Sequence, residues 1–592
     1  MSFKQSLDSF KSFFRERLSG TDALPQLSLL GLLVGLLTAA VILVFRLAIE
    51  WPLAQFLPNG DPENFEGLSQ GIRLLLPLCG AVLIGAIWYR LRISQRKVGI
   101  VFVIERLNYH QGYITFKSLV TQFVGGVLTI LSGQSSGREG PAVHLGAAVS
   151  SLLGQKFKLP NNSIRTLVGC GTAAAISASF NTPIAGVIFA MEVVMMEYTV
   201  AGFTPVILAS VTAAILSQVF YGTDPAFFVP QLEMNSLFEV PFIIVCGIVT
   251  GLASVFFVRL LKVSINITQI NIFYRITIAG IITAVVAYFF PEVMGVGYDT
   301  VNTSLLGGYS FGLLCAIAFA KIVVTAVSVG LGMPSGLIGP TLFIGATVGG
   351  ALGLIANLIF PEVASSPGFY AMLGMGAMMG SVLQAPLSAL MALLELTQNP
   401  NIILPGMLVI VVSSMFASEV FKQKSVFMTI LEAQGLNINN GPMTQALRRV
   451  SVGAIMERKF VRSNSKLSLA DAKELLRQEP KWILINNSQG MPFSLLPVVD
   501  LANYLADADN FSSDDNDDAP DDTSISLLEI PAQRQEICTV SYQATLQEAL
   551  DQLADRKTDY LYVERLSAPT VSRVIGIVAR TDVENYYRYK RN

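Results

Sequence analysis

Residues 136–149 read SGREGPAVHLGAAV and residues 335–348 read SGLIGPTLFIGATV, and both fit S-G-x-x-G-P-x-x-x-(L/I)-G-A-x-V without a gap. Further along, FNTPIAGVIFAMEV (180–193) is answered by LQAPLSALMALLEL (383–396), with the same Pro-to-Glu spacing of nine. The offsets are 199 and 203 residues, so two halves of the chain share one plan. In S-G-x-x-G-P the glycines let backbone approach a ligand closely, and proline suits the first turn of a helix, where an N–H is not needed. The pattern predicts helices starting at Pro141 and Pro340 with unpaired N–H groups in front of them. Such an end carries about half a positive charge and suits an anion. Two of them facing one point would hold a small anion without a lysine or arginine beneath it. The bland alternative is a pair of plain helix caps, and the matched copies weigh against it. The copies differ at one telling place, where Glu139 in the first stands against Ile338 in the second. A carboxylate at membrane depth costs at least ~2.5 kcal/mol. Glu139 is therefore expected to take the anion's seat when no anion is there, and to leave when protonated or displaced. That makes it a gate and a candidate proton carrier.

The setting is a membrane. Hydrophobic residues make up 52% of the 592 and charged residues 14%, with a mean hydropathy of +0.55, whereas soluble chains carry about 25% charged residues. Apolar runs fill 27–435. Those at 27–48, 74–91, 240–263, 272–290, 313–331 and 402–420 are long enough to span a bilayer, which takes about 20 residues. Runs at 142–153, 167–178, 184–196, 341–359 and 371–382 are short or broken by Gly or Pro. Broken helices inside a membrane domain are tolerable where they are buried in protein or face a water-filled path. Residues 1–26 form a polar amphipathic segment, with Lys4, Lys11, Arg15 and Arg17 against Asp8 and Glu16. It does not read as a cleavable signal, and its basic residues beside the first span place the N-terminus in the cytoplasm. Five single cysteines read as small buried hydrophobes. With two histidines, His110 and His144, no histidine metal centre is expected. The absence of a basic stripe argues against nucleic acid.

After Leu436 the composition changes. A linker is expected at 436–448, then an α/β pattern with helices at 468–476 and 546–554 and strands at 482–487, 559–564 and 573–580. The acidic run within 506–529 reads as a disordered solvated loop.

GREGP at 137–141 resembles the signature of the CLC family of chloride channels and chloride/proton exchangers. GLIGP at 336–340 resembles its second filter motif, which usually has Phe where this chain has Ile338. FNTPIAGVIFAMEV and QAPLSALMALLELTQN resemble the flanking helices, so the likeness covers about 27–435. It implies an all-α membrane domain of two inverted repeats of broken helices, about 27–220 and 240–435. It also implies a homodimer with one anion pore per subunit and chloride or similar anions as cargo. The anion contacts it implies are at Val98, Gly99, Ile100, Val101, Gly137, Arg138, Gly140, Gly336, Leu337, Ile338, Gly339 and Phe427.

Several departures matter. The serine of the family's first filter motif lies 41 residues before the gating glutamate, and that position is Val98 in KVGIV. The tyrosine that closes the inner end of the central site aligns with Phe427 in SVFMTIL. With both hydroxyls missing, binding would rest on backbone N–H groups and be weak at the centre. Proton-coupled members carry an inner glutamate directly after the one in FAMEV, and here that position is Val193, as in passive chloride channels. Glu192 and its counterpart Glu395 read as structural, with Glu197 as a substitute relay.

The C-terminal segment resembles a pair of cystathionine-β-synthase (CBS) domains, 449–505 and 530–592. Thr581 and Asp582 in GIVARTD stand where such domains often hold the ribose of an adenine nucleotide, although Thr581 with Glu584 also reads as a capping box. The expectation is a passive chloride channel gated by Glu139 and tuned by the CBS pair, needing no cofactor and catalysing no reaction. The alternative is a chloride/proton exchanger with another proton route. A divalent-cation transporter would need carboxylates or carbonyls along its path, which paired helix N-termini disfavour. The expected location is the plasma membrane, a prokaryotic inner membrane, crossed many times with both termini cytoplasmic.

Overall fold

With no water in a bilayer to take backbone N–H and C=O groups, apolar segments satisfy them internally as helices, and here the helices differ mainly in length. The computed structural model describes residues 24–589 apart from 199, 224–226, 228–232, 268, 437, 439–440, 488, 512–523 and 569–570. Residues 1–23 therefore lie outside the described residues. The chain divides into a helical unit, Leu24–Phe157 with Ile164–Ile438, and a second unit holding Asn439–Asn592.

In the helical unit, α1 (Leu24–Phe56), α2 (Gln70–Arg90), α3 (Gly99–Tyr109), α4 (Phe116–Leu131) and α5 (Glu139–Lys156) lead to α6 (Asn161–Phe180) and α7 (Pro183–Phe189). After a π-helical turn, Ala190–Met195, come α8 (Val200–Tyr221), α9 (Val240–Ile265), α10 (Ile272–Phe289), α11 (Tyr298–Leu305) and α12 (Phe311–Gly330). The unit closes with α13 (Ile338–Ile359), α14 (Pro367–Leu383), α15 (Pro386–Thr397), α16 (Ile403–Met415) and α17 (Val426–Ala433). Among the described residues, eight helices are long and apolar enough to cross a membrane.

Two of the eight depart from expectation. The span within α8 is as apolar as the expected one at 272–290, but Thr204, Pro205, Ser210 and Thr212 interrupt its apolar run. The stretch at 341–359, expected to be broken, is part of the unbroken 22-residue α13. Its glycines are contact surfaces: a Cβ on Gly345 would stand 2.3 Å from the Gly374 carbonyl oxygen, and one on Gly349 2.2 Å from that of Tyr370. Small residues let α13 and α14 approach backbone to backbone.

The repeat is visible in how the halves hold each other. Glu192 Oε2 accepts from the Ser388 N–H at 2.7 Å and its hydroxyl at 2.6 Å, while Oε1 accepts from the Leu387 N–H at 3.3 Å. Glu395 accepts from the N–H groups of Ile184 (2.9 Å) and Ala185 (2.7 Å). Each glutamate thus closes the open N-terminus of the other half's helix, α15 or α7. Glu192→Ala would leave those donors unpaired and should cost about 1–3 kcal/mol of stability, read as a lower unfolding temperature in lipid.

The second unit carries α18 (Pro442–Arg448), then β1 (Phe460–Asn464), β2 (Lys466–Ser468), α19 (Leu469–Arg477), β3 (Trp482–Asn486), β4 (Pro492–Pro497) and α20 (Val498–Phe511). The rest is β5 (Ser524–Ser526), β6 (Gln535–Ser541), α21 (Leu546–Arg556), β7 (Tyr560–Ala568), β8 (Val571–Ala579) and α22 (Arg580–Tyr589). One six-stranded sheet runs β1-β3-β4-β6-β7-β8. β1/β3 and β6/β7 are parallel, whereas β3/β4 and β7/β8 are antiparallel. The β-α-β-β-α plan therefore occurs twice, which is compatible with a CBS pair.

Two expected boundaries move. The linker at 436–448 contains α18, and Leu447, Val450 and Val452 pack with Val540, Leu546, Leu561 and Val578. The start of the first CBS segment therefore belongs to the core of the second, through a few apolar positions that composition does not reveal. The acidic loop is also shorter than 506–529: α20 runs to Phe511, β5 pairs with β2, and Leu527 and Ile530 are core residues. The remainder, 512–523, lies outside the described residues.

Candidate anion site

α5 and α13 begin at Glu139 and Ile338, two residues before the prolines expected to start them. Proline then falls at the third helical position, where its missing N–H still has no intrahelical partner to lose. The shift also makes Glu139 itself a first-turn residue. Immediately before the two starts, Gly137 and Gly336 pair antiparallel. The Gly137 N–H donates to the Gly336 carbonyl at 3.0 Å, and the Gly336 N–H donates to Ser136 Oγ at 3.3 Å. A Cβ on Gly336 would lie 2.3 Å from the Gly137 carbonyl oxygen, and one on Gly140 would lie 2.7 Å from Gly336 Cα. Only glycine allows this approach.

Glu139 is fully buried at the meeting point. Its Oε2 accepts from the Gly339 N–H at 3.1 Å, and its Oε1 accepts from the Tyr298 hydroxyl at 2.5 Å. The acid on one helix start thus occupies the polar end of the other. The Arg138 side chain forms an ion pair with Glu50 at 3.2 Å, and Glu50 also meets Arg46 at 3.1 Å. Nearby, Glu50, Glu63, Phe65, Arg138 and Val296 line a small pocket of about 50 Å³. Glu63 lies in the loop joining α1 and α2, and burial pushes its carboxyl up to about 7 against the pull of Arg138.

The third backbone element is the start of α3. Gly99 has φ +81°, and its N–H is turned to Gln122 Oε1 (2.7 Å) and His144 Nδ1 (3.1 Å). Its amide is therefore already engaged, unlike the free donor expected, while Ile100 and Val101 keep first-turn N–H groups without intrahelical partners. With Nδ1 accepting, the network assigns the His144 proton to Nε2, which donates to Ser118 Oγ at 3.0 Å. The ring stacks on Phe102 at 5.0 Å. Sequence reasoning asked of His144 only whether it could bind a metal and missed this positioning role. The signal was available, because the second copy has Phe343 at that place.

Val98, Gly99, Ile100, Val101, Gly140, Gly336, Leu337 and Phe427 line one cavity of about 820 Å³. Arg96, Lys97, Arg275 and Glu105 also line it, and Lys97 binds both oxygens of Glu105 at 2.9 Å. Ile338 instead faces a small apolar space with Phe180, Phe189 and Leu396. Val193 is buried in the π-helical turn, and Glu197 pairs with Arg165 at 3.4 Å. In the second unit α22 begins at Arg580, which puts Thr581 inside the first turn. Asp582 accepts from the Ala579 N–H at 3.3 Å, so it is Asp582 that caps the helix start.

Comparison with known proteins agrees with this architecture. Residues 80–418 match the model of the voltage gated chloride channel family. The chain is 30% identical over 387 residues to a putative chloride channel protein ClcB-like of Ralstonia nicotianae, covering 64% of this chain and 90% of that one. It is 32% identical over 301 residues to the H(+)/Cl(-) exchange transporter ClcA of Vibrio cholerae, covering 49% of this chain and 64% of the relative. The crystal structure of a eukaryotic CLC transporter shares the fold, with a TM-score of 0.59 at 16% identity over 94% of this chain and 98% of that one. The family match over residues 80–418, more than half of the chain, together with the eight helices long and apolar enough to cross a membrane, makes the chain a member of the voltage-gated chloride channel (CLC) family, a multi-pass membrane protein of chloride transport.

Proposed function

We propose that the chain is a passive chloride channel whose gate is Glu139. The observation that carries this reading is Val193: where a proton would be taken up from the inner side stands a buried side chain that cannot bind one. Its neighbour Glu192 is committed to capping α15. The channel works as a homodimer in the plasma membrane with both termini cytoplasmic, each subunit carrying its own path. The CBS pair adjusts gating, and an adenine nucleotide at Thr581 and Asp582 is the ligand class that the resemblance favours.

One observation favours exchange instead. Glu105, almost wholly buried, lines the large cavity as an acid paired with Lys97, and the Vibrio cholerae relative is named an exchanger. Purified protein in chloride-loaded liposomes, with chloride and proton fluxes recorded together, separates the two. The channel reading predicts chloride efflux with no uphill proton movement. Protons driven uphill at a fixed ratio to chloride would defeat it. If that coupling appeared and vanished in Glu105→Gln, Glu105 would be the proton's inner port.

A further inference from the structure

Gly339 is not the only donor on the gate. Tyr298, itself buried, donates its hydroxyl to Glu139 Oε1 at 2.5 Å, on the oxygen that Gly339 does not use. A hydrogen bond to an ionised acceptor is shorter and stronger than a neutral one, so this contact acts on the seated carboxylate. The ring is held in place around it: Phe227 meets it edge-on at 5.1 Å, and the Arg138 guanidinium lies 5.3 Å from its centroid.

The segment carrying Tyr298 is fastened on both sides. Lys321, fully buried on α12, donates through Nζ to the carbonyls of Val293 (2.9 Å) and Gly295 (3.2 Å). The Gly295 carbonyl also accepts from the Ser136 N–H at 3.3 Å, and the Gly295 N–H donates to the Gly133 carbonyl at 3.3 Å. Gly297, at φ +80°, then turns the chain into α11, where Tyr298 is the first residue. The loop, the lysine and the 133–136 segment thus form one stitched frame that aims a single hydroxyl at the gate.

We infer that Tyr298 is a latch: its hydroxyl holds Glu139 in the anion's seat, so that chloride has to break this bond as well as the Gly339 contact to enter. The inference rests on the gate assigned to Glu139. Tyr298 is a positioning residue, acting on conduction only through that carboxylate. Removing the hydroxyl while keeping the ring should free the gate without disturbing the packing around it.

The test is a double-mutant cycle on the full chain in chloride-loaded liposomes at fixed neutral pH, with Tyr298→Phe, Glu139→Ala and the pair. Tyr298→Phe should raise chloride flux roughly tenfold, the order expected for one lost hydrogen bond to a charged group. In the Glu139→Ala background the same change should add nothing, because the latch then has nothing to hold. Calorimetric chloride titration gives a second readout: Tyr298→Phe should tighten apparent binding, whereas mere damage to the frame would weaken it. An open Glu139→Ala beside an unaltered or slower Tyr298→Phe would overturn the latch alone. An equal rise in both backgrounds would also overturn it. If Glu139→Ala were itself unchanged, the gate and the latch would fall together.

Discussion

Glu139→Ala should conduct chloride continuously and lose the steep activation by acid that a protonatable plug imposes. The Glu139 carboxyl accepts from the Gly339 N–H and from the Tyr298 hydroxyl. Alanine leaves that place to chloride, so flux at neutral pH should rise by about tenfold or more, the order of one or two charge-assisted hydrogen bonds lost by the competing plug. Any residual pH dependence should come from the loop joining α1 and α2, where burial pushes the carboxyls of both Glu63 and Glu66 up to about 7. Glu63→Gln and Glu66→Gln together, added to Glu139→Ala, should therefore flatten the profile from pH 5 to 8. Flux that vanished in Glu139→Ala would show that the acid is needed for passage and does not block it.

Gly336→Ala is the change expected to do most damage. Its methyl would stand 2.3 Å from the Gly137 carbonyl oxygen and 2.9 Å from the Gly140 nitrogen. Both neighbours are backbone and cannot rotate away, so the two helix starts would have to part. Overpacking of this kind costs about 1–3 kcal/mol or more, and it falls on the geometry that makes the seat. Chloride flux should drop at least roughly tenfold, since each 1.4 kcal/mol is a factor of ten, with a lower unfolding temperature. Ser335→Ala, one residue earlier, removes an Oγ whose hydrogen bond, among the described residues, goes to the carbonyl of its neighbour Gly336 at 3.3 Å. It should fold and conduct nearly as the wild type, which makes it a control for the region.

Most of the site was legible because its chemistry is local in sequence. S-G-x-x-G-P names the glycines that permit close approach and the helix start beside them, and the duplication shows that there are two. The difference between Glu139 and Ile338 then singles out the acid proposed as the gate. The partners of that gate were not legible, since Tyr298 lies 159 residues from Glu139 and belongs to no repeated motif. Gln122 was hidden for the same reason, whereas His144 lies inside the repeated motif and differs there from Phe343, so only its partner, the Gly99 N–H, had to come from the fold. Glu192 and Glu395 were recognisable as a matched pair, but that each caps the other half's helix depends on how the repeats interlock. The misread spans have separate causes: in α8 polar residues and a proline interrupt the apolar run, whereas α13 turns on glycine. Glycine marks a helix end in some places and a close helix contact in others, and α13 takes the second option. In the second unit, α18 was lost to the linker because too few apolar residues tie it to its core.

A bromide soak of Glu139→Ala crystals, read by anomalous scattering, tests the shared seat most directly. A peak at the position of the missing carboxylate, within hydrogen-bond distance of the Gly339 N–H, is the predicted result. Bromide found only away from both helix starts, with none between them, would contradict it.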